Sequence, residues 1–300
     1  MPQARANGIT LEYDIHGPDG GEPTLLIMGL GAQMTRWPQA FVDMLVERGL
    51  RVIRFDNRDV GLSEKIEAGG VPDLGKIMGA LMQGQKPDVP YLLDDMAADA
   101  VGLLDALSIP RAHIVGASLG GMVAQLVAAD HPERALSLTS IMSTTGNREL
   151  PPAKPEAIAV LNNRGPDPTV DLEGYLAHAV TGARAIGSPG FPPDDAGVRE
   201  RSLNDFKRAY YPVGFARQYA AAAASADRRP KIAGITAPTV VIHGDGDPLV
   251  PVEGGRDTAE NIPGAELRIV AGMGHDFPPQ LFGEIADGII RAVERSKASV

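Results

Sequence analysis

Six short apolar runs, at residues 24–28, 51–55, 112–115, 136–141, 239–243 and 266–270, set the frame of this chain. Their length and content of β-branched residues suit strands buried on both faces of a sheet. Helical spacing fills the gaps. Residues 38–48 place Phe41, Met44 and Leu45 on one face, with Pro38 in the first turn and Gly49 as the stop. Residues 95–107 align Met96, Ala100, Leu103, Leu104 and Leu107, and Pro110 blocks continuation. Strands that alternate with helices imply right-handed crossovers and a mostly parallel sheet covered on both faces. Residues 10–16 alternate in and out before a glycine-rich loop at 17–21, which adds an antiparallel strand pair at one edge and makes the sheet mixed.

The rhythm breaks at residues 144–231, where Pro151, Pro152, Pro155, Pro166, Pro168, Pro189, Pro192, Pro193 and Pro212 interrupt short helical pieces. A helical cap that leaves the sheet and re-enters it accounts for this, with residues 1–143 and 232–300 as one core.

Composition narrows the chemistry. A formal charge of −10 argues against tracking nucleic-acid phosphates, and no basic amphipathic helix suggests membrane docking. Without a cysteine, disulfides, thiolate nucleophiles and cysteine-ligated zinc are excluded. The N-terminal residues lack the pattern of a secretory signal, and no run reaches the roughly 18 apolar residues of a membrane span, so a cytoplasmic location is expected.

Against this frame the pentapeptide G-A-S-L-G at residues 116–120 gains meaning. By itself it is a small-residue turn. Between a strand and a helix, it is the setting of a nucleophile elbow, with Ser118 raised above the sheet edge and the Leu119 N–H free to hold an oxyanion. A serine hydroxyl needs a histidine base, and the base needs a carboxylate. Of six histidines, His275 sits in a glycine-rich loop after the last strand, on the edge where such sheets collect their reactive groups. For the acid, Asp245, Asp247 and Asp276 are all candidates. Asp247 is favoured because Pro248 stiffens its turn, with Asp245 bracing the loop. The order Ser118, Asp247, His275 is the order that accompanies this elbow.

With these motifs the chain resembles the α/β-hydrolase superfamily over most of its length outside the insertion. The turn D-N-R-D-V-G-L-S at residues 56–63 looks like that family's structural turn, which makes Asp56 and Arg58 loop braces. The loops at 28–31, 55–58 and 272–275 look more narrowly like the polyketide methylesterases related to aclacinomycin methylesterase. Many family members carry His-Gly where this chain has Met28-Gly29, but the second oxyanion donor is a backbone N–H, here that of Leu30. The resemblance implies a serine hydrolase of carboxylic esters, with short to medium acyl or methyl esters of small molecules as substrates.

Rival signals are weaker. Gly29 and Gly31 imitate part of a dinucleotide fingerprint, but Met34 occupies the third glycine position and the next helix starts too late, so no cofactor is expected. His243 with Asp245 and Asp247 could suggest a metal, but His243 should alternate away from the loop. Other serine chemistries on this fold remain: a peptidase of the proline-iminopeptidase type, whose amine would want Asp171, Glu173, Asp194 or Asp195, or a perhydrolase. A ligand-binding protein that has lost turnover is the non-enzyme alternative. Trp37, Met142, Tyr210 and Phe215 are candidates for an apolar substrate pocket.

Overall fold

The computed structural model describes residues 2–163 and 165–298, and each of the six apolar runs falls on a strand. The strands are β1 (Gln3–Ala6), β2 (Ile9–His16), β3 (Glu22–Ile27), β4 (Leu50–Phe55), β5 (Ala112–Ala117), β6 (Ala135–Ile141), β7 (Thr239–Gly244) and β8 (Glu266–Val270). The helices are α1 (Gln39–Glu47), α2 (Leu74–Met82), α3 (Leu93–Ala106), α4 (Leu119–Asp130), α5 (Pro155–Asn162), α6 (Leu172–Ile186), α7 (Asp195–Arg208), α8 (Pro212–Ala224), α9 (Arg229–Ile232), α10 (Val252–Asn261) and α11 (Phe282–Ala298).

The strands form one sheet in the order β1-β2-β4-β3-β5-β6-β7-β8. β1 and β2 run antiparallel, as do β2 and β4, and every later pairing is parallel. The edge hairpin turns at Asn7 and Gly8, both at positive φ, which is the geometry that matches strand twist in a two-residue turn. The loop at 17–21 closes no hairpin, because β4 lies between β2 and β3.

Alternation along the strands fills two cores. Leu25, Ile27, Ile53, Phe55 and Ile114 pack with Leu103, Leu104, Val123 and Val127 of α3 and α4. On the other face Leu26, Val52, Val115, Val240 and Ile242 pack with Phe41 and Leu45 of α1 and Ile285, Ile289 and Val293 of α11. Helix ends shift slightly from the expected bounds. Pro38 is the N-cap of α1, one place before its first turn. α3 starts two residues early, because the Asp95 carboxylate accepts the Leu92 N–H at 2.8 Å and satisfies an amide the helix cannot. α2, capped by Asp73, is an element that the strand rhythm does not announce.

Between β6 and β7 the chain leaves the sheet and forms α5 to α9. Two of the prolines that break the rhythm start helices here, Pro155 opening α5 and Pro212 opening α8, and Pro230 lies in the first turn of α9. Among the described residues no helix is long and apolar enough to cross a membrane.

Candidate active site

β5 ends at Ala117 and α4 begins at Leu119, so Ser118 alone makes the strand-to-helix turn. Its backbone sits at φ 55° and ψ −121°, a region that L-residues avoid. Glycines make the turn possible. A Cβ on Gly116 would lie 2.0 Å from the Gly120 carbonyl oxygen, and one on Gly120 would lie 2.1 Å from that of Ile27. The strained turn is then held from three sides. The Ser118 N–H donates to Ile141 O at 2.9 Å, and its carbonyl accepts the Gly121 N–H at 2.9 Å and the Ser143 hydroxyl at 2.8 Å.

His275 follows β8. Its Nε2 lies 2.8 Å from Ser118 Oγ, and its Nδ1 lies 2.7 Å from Asp247 Oδ2. A carboxylate only accepts, so Nδ1 carries the proton and Nε2 is left to accept from the serine hydroxyl. The loop that holds the ring is tied to the helical segment: the His275 N–H donates to Ile186 O and the Gly274 N–H to Ser188 Oγ, each at 2.8 Å. Sequence reasoning did not find Ser188, because nothing local marks a serine after a helix as the brace of a loop far along the chain.

Asp247 is buried after β7. Its Oδ1 accepts the N–H groups of Leu249 and Val250 at 2.9 and 2.8 Å, which leaves Oδ2 for the imidazole. Burial works to raise its pKa, but the His275 ring and these hydrogen bonds outweigh it and hold the carboxyl below its ordinary value. The other two acids serve elsewhere. Asp245 accepts the Gly272 N–H at 2.7 Å, as a loop brace, and Asp276 accepts the Ser188 hydroxyl at 2.5 Å.

His243 corrects the alternation argument. The turn after β7 brings Asp247 back over the strand, so His243 Nε2 lies 3.6 Å from Asp247 Oδ2 while donating to Val250 O at 2.8 Å. Burial lowers its pKa and keeps the ring neutral.

Around the serine, the loop after β3 approaches closely: a Cβ on Gly29 would stand 3.2 Å from Ser118 Cβ. Asn57 Nδ2 donates to Met28 O at 2.9 Å, and the Ala32 N–H to Gly29 O at 3.2 Å. Among the described residues the Leu30 N–H has no acceptor, and the Leu119 N–H, in the first turn of α4, cannot have one within its helix. Leu119 follows Ser118 directly in the chain, and Leu30 follows Gly29, which stands against the Ser118 side chain.

Of the residues expected in a pocket, the structure brings Phe215 to this loop, where its ring lies against Gly31 and stacks on Tyr219 at 6.2 Å. Trp37 is a correction. It has no exposed surface and packs on Phe41 and Phe277 with ring centroids 6.0 and 5.0 Å away, so it is core and lines no space that a substrate can reach. Met142 is likewise buried at the end of β6, with 2% of its surface accessible. Tyr210 is exposed and packs on Tyr175 and Phe206.

The four acids that an amine-binding peptidase would use are engaged. Asp171 and Asp194 cap α6 and α7 through the N–H groups of Gly174 and Gly197, each at 2.8 Å. Glu173 pairs with Arg199, and Asp195 with Arg184. Asp56 and Arg58 brace, as expected: Asp56 accepts the N–H groups of Met34 and Leu62 at 2.8 Å, and Arg58 pairs with buried Asp99 at 2.6 Å.

Serine, histidine and acid thus stand at the carboxyl ends of β5, β8 and β7, the arrangement of a nucleophile built on a doubly covered α/β sheet. The chain belongs to the alpha/beta hydrolase fold family, which matches residues 23–279. It is 30% identical over 297 residues to a rhodomycin D methylesterase of Streptomyces sp., with 94% of each chain covered. It is 26% identical over 291 residues to 3-oxoadipate enol-lactonase 2 of Acinetobacter baylyi, with 95% of each covered. Among solved structures, a meta-cleavage product hydrolase from Pseudomonas fluorescens superposes with a TM-score of 0.73 at 20% identity, covering 99% of this chain and 98% of that one.

Proposed function

We propose that this chain is a serine hydrolase of carboxylic esters, working through an acyl-enzyme, with Ser118 as nucleophile, His275 as base and Asp247 as its orienting acid. The observation that carries the reading is the unbroken hydrogen-bonded series from Ser118 Oγ through both ring nitrogens of His275 to Asp247. Ser118 Oγ attacks the ester carbonyl while His275 Nε2 takes its proton, and Asp247 supports the imidazolium. The N–H groups of Leu30 and Leu119 receive the developing oxyanion, where each donor is worth about 10²–10³ in rate. The intermediate collapses, and His275 protonates the departing alcohol. Water, deprotonated by His275, then attacks the acyl-enzyme and releases the acid and free Ser118. Proton transfer and a nucleophile suffice, so no cofactor or metal enters the scheme.

A small-molecule ester with a methyl or short to medium group is the substrate class, supported by the methylesterase among the relatives. The helical segment at 144–231 acts as a cap, because it bonds to the loop that carries His275 and packs on the loop that carries Leu30. The engaged acids of α6 and α7 weigh against a peptidase that grips a free amine. The test is turnover of p-nitrophenyl esters of graded acyl length by the wild type and Ser118→Ala. The variant should lose at least about 10⁴ in kcat. Undiminished turnover would end the reading, and faster release of a prolyl anilide than of any ester would replace it with a peptidase.

A further inference from the structure

The oxyanion loop is held by a residue that no motif contains. Gln218 lies in the middle of α8, fully buried, with both ends of its carboxamide used. Its Oε1 accepts the Gly31 N–H at 2.8 Å, and its Nε2 donates to the Arg58 carbonyl oxygen at 2.8 Å. An amide N–H demands an acceptor and a carbonyl demands a donor, so only one orientation of the side chain fits. One turn earlier on the same helix, Phe215 covers Gly31 so closely that a Cβ there would come within 2.6 Å of the ring. Gly31 itself sits at φ +65°, a conformation that glycine adopts without strain.

We infer that Gln218 is a positioning residue for the oxyanion hole, so that the cap helps to assemble the catalytic loop. The inference rests on the reading of Leu30 as an oxyanion donor. Its physical basis is the plane of one peptide. By capturing the Gly31 N–H, Gln218 fixes the Leu30–Gly31 peptide, and with Asn57 on Met28 O it fixes both sides of the Gly29–Leu30 peptide. The Leu30 N–H is thereby left without a partner, aimed by its neighbours. The far end of Gln218 is anchored in rigid ground, because Arg58 is paired with Asp99 of α3 and the adjacent Arg217 is paired with buried Asp59 at 2.7 Å. Hydrogen bonds of this kind restrict the loop before substrate arrives, which is where an oxyanion hole gains its effect.

The experiment compares wild type, Gln218→Met, Gln218→Glu and Ser118→Ala, each checked for folding by circular dichroism. It measures kcat and KM on p-nitrophenyl butyrate, and the inhibition constant of a trifluoromethyl ketone, whose adduct carries the oxyanion. Methionine keeps the shape of the side chain and removes both polar partners. It should lower kcat by about tenfold to a hundredfold, short of the full loss of a donor, with KM little changed. The affinity for the ketone should fall by a matching factor. Glutamate, held protonated by burial, keeps an acceptor for the Gly31 N–H and an O–H donor for the Arg58 carbonyl oxygen, so it should lose less than methionine, and it carries the test if the methionine variant does not fold. A folded Gln218→Met with unchanged kcat and ketone affinity overturns the inference, as does a change confined to KM, which would make Gln218 a substrate contact. If Ser118→Ala turns over at the wild-type rate, the serine reading itself has failed and this inference falls with it. Ser118-dependent turnover with an indifferent Gln218 removes the inference alone.

Discussion

Asp247→Asn separates the proposed acid from its two neighbours, because the substitution is forced into one orientation. Oδ1 of Asp247 faces two donors, the N–H groups of Leu249 and Val250, and Oδ2 faces the His275 Nδ1–H. In an asparagine the carbonyl oxygen must stay with the two backbone donors. Turning the NH2 group onto them would strand both, at roughly 1–3 kcal/mol each. The NH2 therefore takes the place of Oδ2 and donates to His275 Nδ1, which moves the ring proton to Nε2. That nitrogen then points a hydrogen at Ser118 Oγ and can no longer accept its proton. The expected loss in kcat is about 10⁴, or close to 5.5 kcal/mol at 1.36 kcal/mol per decade, the scale of a wrong tautomer in a triad. Asp245→Asn keeps an oxygen for the Gly272 N–H and should stay near wild type. The assay is ester turnover by both variants, with nitrogen-15 spectra of the histidine ring to follow the tautomer. Equal and mild losses, or an unchanged tautomer with lost activity, would refute this reasoning.

Two further variants probe placement and pH. Trp37→Ala should lower stability by about 3–5 kcal/mol, as expected of a buried aromatic, while kcat and KM of the folded protein stay unchanged. A selective rise in KM would return Trp37 to the pocket. His113 is buried on β5, and burial lowers its pKa to about 4, against the smaller opposing pull of Glu22. The unfolded chain binds this proton near pH 6.5, so the contribution of neutral His113 is intact above that pH and is lost as pH falls toward 4. The whole window is worth about 3 kcal/mol, and chemical denaturation of His113→Gln from pH 7 to 4 should show a flatter fall in stability than the wild type. Parallel slopes would deny His113 that role.

The core was legible because its signals are local. Strands of five to eight residues with β-branched cores announce themselves, whereas β1, of sequence Gln-Ala-Arg-Ala, does not, and Gly49, Pro110 and Pro132 stand just beyond the ends of α1, α3 and α4. What could not be read depends on partners distant in sequence. β4 inserts between β2 and β3 because sheet order is set by how crossovers pack, which no single strand records. Trp37 looks like a pocket residue from its place after a strand. Its ring meets Phe41 four residues on, a contact that helical spacing allows, and Phe277 at the other end of the chain, which no spacing reveals.

The candidate site divides in the same way. Ser118, Asp247 and His275 are legible as candidates because each sits at the end of a strand in a loop whose glycines and prolines have a conformational purpose that the sequence states. Gln218 and Ser188 have no such signal: each is a polar residue in or just after a helix of ordinary composition, and each acts on a backbone N–H in a loop elsewhere. Their effect follows from the cost of a buried amide without an acceptor. Neither Gly31 nor Gly274 can satisfy its N–H within its own loop, so each borrows an oxygen from the helical segment. The side chains of the proposed triad are therefore specified by the sheet and its loops, while the backbone around them is completed by residues 144–231, and changes in α8 should reach the proposed chemistry through Gly31 without touching a reacting atom.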